Sequence, residues 1–248
     1  MRWVGDVHIV APDREQSGVG ASLSLHALVL ARAVPLNPCL SNEEDAPYQV
    51  TTCAVEGTPG DSCVLALEQL VGSVDLVISG INCGSNLGWD VIVSGTVGAA
   101  LQGYMRGYPT IAISVASVIN SSFDGAARLL QLIGKQLSEA SHPGSFFLNI
   151  NVPSLPLEQI AGMQVTRLGG RSYGESVRAE GVGAQQRYWI SRNRPIQNDN
   201  SEGTDMWALR NNRISITPLQ LALSNQEQMP DLEALLADVP AQLLSRRD

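Results

Sequence analysis

Short apolar runs alternate with segments of helical periodicity over the first 153 residues. The apolar runs have the length of strands and lie at residues 7–10, 75–79, 110–115 and 146–152. Strands that are buried on both faces and alternate with amphipathic helices form a mostly parallel sheet with right-handed crossovers. The alternation therefore predicts an α/β protein with a doubly wound, mostly parallel sheet.

Three helices are predicted between these strands. Thr58-Pro59 has the form of a helix start, with a hydroxyl N-cap and a proline in the first turn, and the helix runs to about residue 71. A second helix begins near Ser94 and ends before Gly107, which lies where a C-terminal capping glycine belongs. A third helix opens at Ser122.

The pattern changes after Pro156. Short strands at residues 163–168, 187–191 and 213–218 are separated by Gly- and Asn-rich segments, with no helix predicted between them. We interpret residues 1–156 as the core and residues 157–248 as an antiparallel hairpin appendage that ends in a helix around Leu235. Hairpins with long arms commonly serve subunit contacts, although a closed second domain fits this part of the sequence equally well.

Charge and composition exclude several classes of function. The chain has a net charge of −8, and its basic residues are scattered, so a nucleic-acid polymer is not an expected partner. No apolar run reaches the roughly 18 residues of a membrane span. The four cysteines lack zinc-ligand spacing, which favours free thiols and a cytoplasmic location. They are Cys39, Cys53, Cys63 and Cys83.

Two loops that follow strands are candidates for chemistry, because ligands of open parallel sheets bind at the carboxyl ends of the strands. One loop contains Ser17, and the other, residues 80–88, holds three glycines together with Asn82 and Asn86. The second loop leads to Ser94-Gly95-Thr96, which opens a helix. The free N–H groups and the positive dipole end of such a helix attract phosphate.

Simpler interpretations exist for each of these features. A Gly- and Asn-rich loop is often only a turn, and Ser-Gly-Thr is often only a helix cap. The histidines, His8, His26 and His142, are far apart and lie in no catalytic motif, and no serine lies in a nucleophile elbow. The sequence also contains neither a Walker loop nor a dinucleotide fingerprint, which disfavours a cofactor-binding oxidoreductase.

Several of these motifs, in order along the chain, resemble those of the SurE family of phosphatases. The matching segments are Val10-Ala11-Pro12-Asp13-Arg14-Glu15-Gln16-Ser17-Gly18, Gly57-Thr58-Pro59, Ser79-Gly80-Ile81-Asn82, Ser94-Gly95-Thr96-Val97 and Ser215-Ile216-Thr217-Pro218-Leu219.

The resemblance implies a Rossmann-like core and a homodimer or homotetramer built by the appended arms. It implies a phosphatase that uses one divalent cation, Mg or Mn, to release phosphate from nucleoside 5′- and 3′-monophosphates and similar small phosphate esters. Residue by residue, Ser17 and Asn82 match metal ligands. The positions that match phosphate-binding residues are Asn86, Ser94, Gly95 and Thr96. No catalytic acid or base is identified.

One part of the family pattern is absent. The family begins with a strand, an Asn-Asp-Asp-Gly loop and a helix, and the adjacent aspartates are the charged metal ligands. The 248 residues contain no Asp-Asp pair, and the first residues resemble the end of that helix. Such a unit takes roughly 20–25 residues. Either the start codon was placed at an internal Met, or the chain is short and has lost most of its metal affinity. We favour the first, because loss of a central strand would expose the apolar faces of its neighbours.

The absent carboxylates affect the expected activity. Ser17 and Asn82 are neutral ligands and cannot by themselves balance a divalent cation, so little phosphatase activity is expected from residues 1–248 alone. The alternative is a non-catalytic phosphate-binding, nucleotide-binding or assembly protein derived from the same fold.

Overall fold

The computed structural model describes residues 1, 4–35, 47–119, 121–140, 144–170, 173–181, 186–195 and 201–244. The surface connection predicted at residues 36–47 lies outside this part of the chain except for Pro47. Cys39 and His142 also lie outside the described residues.

The described strands form three sheets, of which the largest has the order β4-β5-β6-β10-β7. A smaller sheet has the order β1-β3-β2, and β8 pairs with β9. The pairs β1–β3, β4–β5, β5–β6 and β7–β10 are parallel, which confirms the predicted mostly parallel α/β fold. The strands are β1 (Val7–Pro12), β2 (Ala31–Ala33), β3 (Val50–Val55), β4 (Val77–Cys83), β5 (Thr110–Val115), β6 (Phe147–Val152), β7 (Gly162–Val165), β8 (Tyr173–Glu180), β9 (Arg187–Pro195) and β10 (Arg213–Pro218).

The core lies around β5 and β6. Every residue of β5 is buried, and β6 is buried at all positions but one. Ile111, Ile113 and Ile150 pack there against Leu129 and Leu130 of the third helix. Burial of an aliphatic side chain of this size stabilises the folded state by about 1.5–3 kcal/mol, so this pair of strands and its helix anchor the domain.

All three predicted helices form, and two of them begin at the predicted caps, Thr58 and Ser94, whereas the third begins at Asp124 with Phe123 at the N-cap position, two residues after the predicted Ser122. The helices are α1 (Pro59–Leu65), α2 (Gly95–Met105), α3 (Asp124–Glu139), α4 (Asp205–Arg210), α5 (Met229–Leu235) and α6 (Val239–Leu244). The Thr58 side chain caps α1, and Asp61 completes a capping box with it. A π-helical turn, Ala66–Leu70, continues α1. No helix in the described part of the chain is long and apolar enough to cross a membrane.

The carboxyl-terminal part differs from the predicted appendage in two respects. The strands β7 and β10 belong to the large sheet, where β10 pairs antiparallel with β6 and parallel with β7. A short helix, α4, lies between β9 and β10, where no helix was predicted. The antiparallel hairpin itself is β8–β9, and α5 is the predicted helix around Leu235.

Among the described residues, β1 and β4 are edge strands on one side of their sheets, and β2 and β7 are the edge strands on the other side. The strand β1 pairs only with β3, and β4 pairs only with β5. Ile9 in the edge strand β1 is 42% exposed, whereas every residue of β5, which has a neighbouring strand on each side, is fully buried. Unpaired N–H and C=O groups at a sheet edge are a template for a further strand.

Candidate functional site

The candidate site lies between the carboxyl end of β4 and the amino end of α2. The segment that joins them contains the predicted residues Asn82, Asn86 and Ser94, with a 3₁₀ helix, Gly88–Ile92, before α2. This is the edge of a parallel sheet where ligands bind, because the strands end there and the helices begin there.

Asn82 lies at the end of β4, next to a bulge. The pairing register with β5 shifts between Ser79 and Asn82. A Cβ atom on Gly80, which has a φ of +127°, would overlap the carbonyl oxygen of Ile113, so only glycine fits this close approach. The Asn82 side-chain amide donates to the carbonyl oxygen of Gly84 at 2.7 Å and thereby orders the start of the loop.

Asn86 is held by a polar network beneath the loop. Its backbone N–H donates to Asn151 Oδ1 at 2.8 Å, and its carbonyl oxygen accepts from the side-chain amides of Asn149 and Asn151. Its own side-chain amide donates to Ser114 Oγ at 2.8 Å. The fully buried strand residues therefore fix both the backbone and the side chain of Asn86.

Ser94, Gly95 and Thr96 form the amino end of α2. Ser94 is the N-cap and its Oγ accepts from the N–H of Val97 at 3.1 Å. In the described part of the chain, the N–H groups of Gly95 and Thr96 have no acceptor, as expected for the first turn of a helix. The three residues are adjacent, and their two N–H groups without acceptors and two hydroxyls are donors of the kind that bind an anion at a helix terminus.

The loop after β1 packs against this helix terminus. A Cβ atom on Gly95 would lie 3.2 Å from the carbonyl oxygen of Gln16, and the N–H of Gly20 donates to the carbonyl oxygen of Val93 at 2.9 Å. The structure thus brings the residue before Ser17 to the amino end of α2. Ser17 itself is exposed, and its hydroxyl donates to Glu15 Oε1 at 2.7 Å.

The residues present do not fit a divalent cation on their own. Ser17 and Asn82 offer neutral oxygens only. No group of three or more His, Cys, Asp or Glu side chains that could hold a metal ion occurs in the described part of the chain. Hard divalent cations take oxygen ligands that usually include carboxylates, so these two residues make at most the neutral half of a metal site.

The sequence analysis did not identify two features that hold the loop of the candidate site. One is the set of buried polar residues under Asn86, for which the alternation Asn149-x-Asn151 in an apolar strand was the available signal. The other is Asp205, a fully buried carboxylate that contacts the loop at Gly88 from 117 positions away in sequence. No local pattern identifies a contact over such a separation.

The fold defines a class: a Rossmann-like α/β protein, whose candidate site lies between the end of a strand and the start of a helix. The family model for Survival protein SurE matches residues 1–175. The chain therefore belongs to the SurE family, as the motifs predicted.

The comparisons with individual proteins agree. The chain is 38% identical to the 5′-nucleotidase SurE of Dehalococcoides mccartyi strain CBDB1, over 100% of this chain and 91% of that protein. It is 39% identical to the 5′-nucleotidase SurE of Geobacter metallireducens, over 94% and 88%. The crystal structure of the SurE protein from Aquifex aeolicus superposes with a TM-score of 0.70 at 35% identity, and covers 92% of this chain and 88% of that one.

Proposed function

We propose that this protein is a nucleotidase whose phosphate site is the amino end of α2, and that its substrates are nucleoside 5′- and 3′-monophosphates. The observation that carries the proposal is the pair of free N–H groups at Gly95 and Thr96, with the carbonyl oxygen of Gln16, the residue before Ser17, close to Gly95. The names of the relatives, all 5′-nucleotidases, support the choice of substrate class.

The helix terminus stabilises a phosphate by three means. The N–H groups of Gly95 and Thr96 donate to its oxygens, and the helix dipole adds a favourable field. The Ser94 oxygen already accepts from Val97, so its own hydroxyl proton remains available to donate outward. Because these donors are fixed before a ligand arrives, they also favour the additional negative charge that develops during phosphoryl transfer.

Hydrolysis needs charged groups in addition to this cradle. We propose that one divalent cation, magnesium or manganese, serves the reaction, with Ser17 and Asn82 as its neutral ligands. Two carboxylates would balance the charge, and the open edges of β1 and β4 are where a strand bearing them would pair. Residues 1–248 alone are therefore expected to bind phosphate esters and to hydrolyse them slowly.

A second function follows from the same donor set. Because no group of three or more His, Cys, Asp or Glu side chains in the described part of the chain could hold a metal ion, the site also fits a phosphate- or nucleotide-binding protein without turnover. In that case a nucleoside monophosphate binds equally well with and without metal, and no phosphate is released.

We also propose that the protein is a cytoplasmic homodimer or homotetramer and that the hairpin β8–β9 forms the contact. Val177, Tyr188 and Ile190 lie on one face of this hairpin, and each is more than 60% exposed. An isolated two-stranded hairpin is at best marginally stable in water, so a partner surface for this face is expected.

Calorimetric titration with AMP, with and without manganese, tests the proposed site. The wild-type chain should bind AMP, and Gly95→Pro, which removes one of the free N–H donors while keeping a residue suited to the first helical turn, should weaken binding by about tenfold. Ser85→Ala, outside α2, is the control and should bind like the wild type. AMP binding that is unaffected by Gly95→Pro would contradict the proposed site. Phosphate release, measured in the same samples, separates the nucleotidase from the non-catalytic protein.

A further inference from the structure

Asp205 is a fully buried carboxylate that, among the described residues, accepts hydrogen bonds from backbone N–H groups only. It is the first residue of α4, and its Oδ1 accepts from the N–H groups of Gly169 and Met206 at 2.8 and 2.9 Å. Its Oδ2 accepts from the N–H of Gly88 at 2.7 Å. Burial raises the pKa of Asp205 above its ordinary value, and these N–H donors oppose the rise. Burying a carboxylate costs free energy unless it is hydrogen-bonded, so the three N–H groups that Asp205 binds are expected to be held firmly in place.

The contact at Gly88 is one side of a clamp. Gly88 has a φ of +51°, and a Cβ atom there would overlap the carbonyl oxygen of Gly170. The next residue, Trp89, donates its N–H to that same carbonyl oxygen at 3.2 Å. Two consecutive N–H groups of the loop are therefore held: the N–H of Gly88 by the Asp205 side chain and the N–H of Trp89 by the backbone carbonyl of Gly170.

Gly88 lies between the two halves of the candidate phosphate site. Asn86, two residues earlier, is fixed by Asn149 and Asn151 of the large sheet. The 3₁₀ helix that starts at Gly88 leads directly to Ser94. The clamp therefore fixes the connection that joins Asn86 to the amino end of α2.

We infer that Asp205 is a positioning residue for phosphate binding: it holds the Gly88 peptide so that Asn86 and the Ser94–Thr96 turn keep the spacing that one phosphate requires. Asp205 touches no part of the proposed phosphate site itself and acts through the loop. The inference rests on the proposed function, because it assigns Asp205 a role at the same phosphate site.

A role in the stability of α4 alone would give a different result. A carboxylate that only caps a short helix would lower the stability of the protein when replaced, without altering ligand affinity in the folded protein. Asp61 offers a matched control: it is also buried, also lies in the first turn of a helix, and also accepts three hydrogen bonds, from Ser24 and Thr58. It makes no contact with residues 84–93.

The experiment compares Asp205→Asn and Asp61→Asn in the full chain. Hydrogen exchange of the ligand-free proteins, followed by mass spectrometry, reports the protection of residues 84–96. Calorimetric titration with AMP reports affinity. Asp205→Asn should lose protection in this segment and bind AMP about tenfold more weakly, the effect of losing a hydrogen bond to a charged group. Asp61→Asn should keep the protection of residues 84–93 within about twofold, because its carboxylate accepts from Ser24 and Thr58 and from no described residue of that segment.

A second variant covers the case in which Asp205→Asn does not fold. Gly88→Ala leaves the carboxylate in place and pushes the loop away from Gly170, so it should show the same loss of protection and affinity. If Asp205→Asn or Gly88→Ala folds and either binds AMP like the wild type or keeps full protection of residues 84–96, Asp205 does not position the phosphate site. The proposal of the phosphate site itself is then unaffected. If the wild type itself does not bind AMP, the proposed function fails, and the role of Asp205 in it fails with it.

Discussion

At the scale of single residues, most of the candidate site was visible in the sequence. Asn82, Asn86 and Ser94 each follow a strand or begin a helix, and such positions are marked by local patterns of glycine, asparagine and hydroxyl residues. Asp205 was not predictable in this way, since its partners Gly88 and Gly169 are brought to it only by the packing of α4 on the large sheet. Local sequence patterns therefore identify the residues proposed to bind the ligand, whereas no local pattern identifies Asp205, the residue proposed to position them.

The stability contributed by Asp61 should depend on pH. Burial would raise the pKa of Asp61, but hydrogen bonds from Ser24 and Thr58 outweigh burial and lower it. A group with a lowered pKa in the folded state stabilises that state above its unfolded pKa, near pH 4, and loses this effect as the pH falls through the folded value. Asp61→Asn should therefore lower the free energy of unfolding by about 1–3 kcal/mol at pH 7.

Urea denaturation at pH 7 and at pH 3 measures this effect. The difference between the wild type and Asp61→Asn should shrink at pH 3, because this pH lies below the ordinary pKa of an Asp carboxyl and protonation there favours the unfolded chain. Asp231→Asn, at an exposed helix position, is the control and should change the free energy of unfolding by less than about 0.5 kcal/mol at either pH. A difference for Asp61 that is equal at both pH values would mean that its ionised form contributes nothing.

At the scale of secondary structure, the elements with strong periodicity were predicted well and the short ones were not. The strand β5 has the predicted bounds because five of its six residues are apolar or β-branched. The strand β3, Val50–Val55, was missed, although its valines and threonines have high strand propensity. The strands β7 and β10 were identified but assigned to the appendage, because strand order depends on pairing between distant segments.

The hairpin β8–β9 has two unlike faces, and this difference predicts how it assembles. Val177 pairs with Ile190, and Ala179 with Tyr188, so one face is apolar. The opposite face is charged, and there the Trp189 ring N–H donates to Glu180 Oε2 at 2.9 Å. Replacing Val177 and Ile190 by Glu should convert the proposed oligomer into a monomer, because two carboxylates cannot be buried in an apolar contact without partners.

Size-exclusion chromatography with light scattering measures the mass of each species. A matched control replaces Arg178 and Arg187 by Glu, which places two carboxylates on the charged face of the same hairpin. This control should keep the wild-type mass. A monomeric wild type, or an oligomer that survives Glu at positions 177 and 190, would show that the apolar face is not the contact.

At the scale of the whole molecule, the parallel strands divide into two sheets that meet through helices. The helices α1 and α2 pack against each other, and residues 16–22 lie on the amino end of α2, whereas β1 and β4 share no ladder. The proposed neutral ligands Ser17 and Asn82 lie after β1 and near the end of β4, one at the edge of each sheet. We therefore propose that the carboxylates that the resemblance implies and a strand that pairs with these edges belong at the same place.

Adding a strand, an Asn-Asp-Asp-Gly loop and a helix before Met1 should consequently change both activity and stability. The added strand should pair with the open edges and raise the melting temperature, and its two aspartates should supply the charge that Ser17 and Asn82 lack. Manganese-dependent release of phosphate from AMP should rise by at least about tenfold, since even groups outside the first ligand shell change metal affinity by that factor. The control carries the same extension with Asn-Ala-Ala-Gly, which should reproduce the gain in melting temperature without the gain in turnover. If residues 1–248 alone hydrolyse AMP as fast as the extended chain, the carboxylates for the reaction lie within these residues and the division of the site between two segments is wrong.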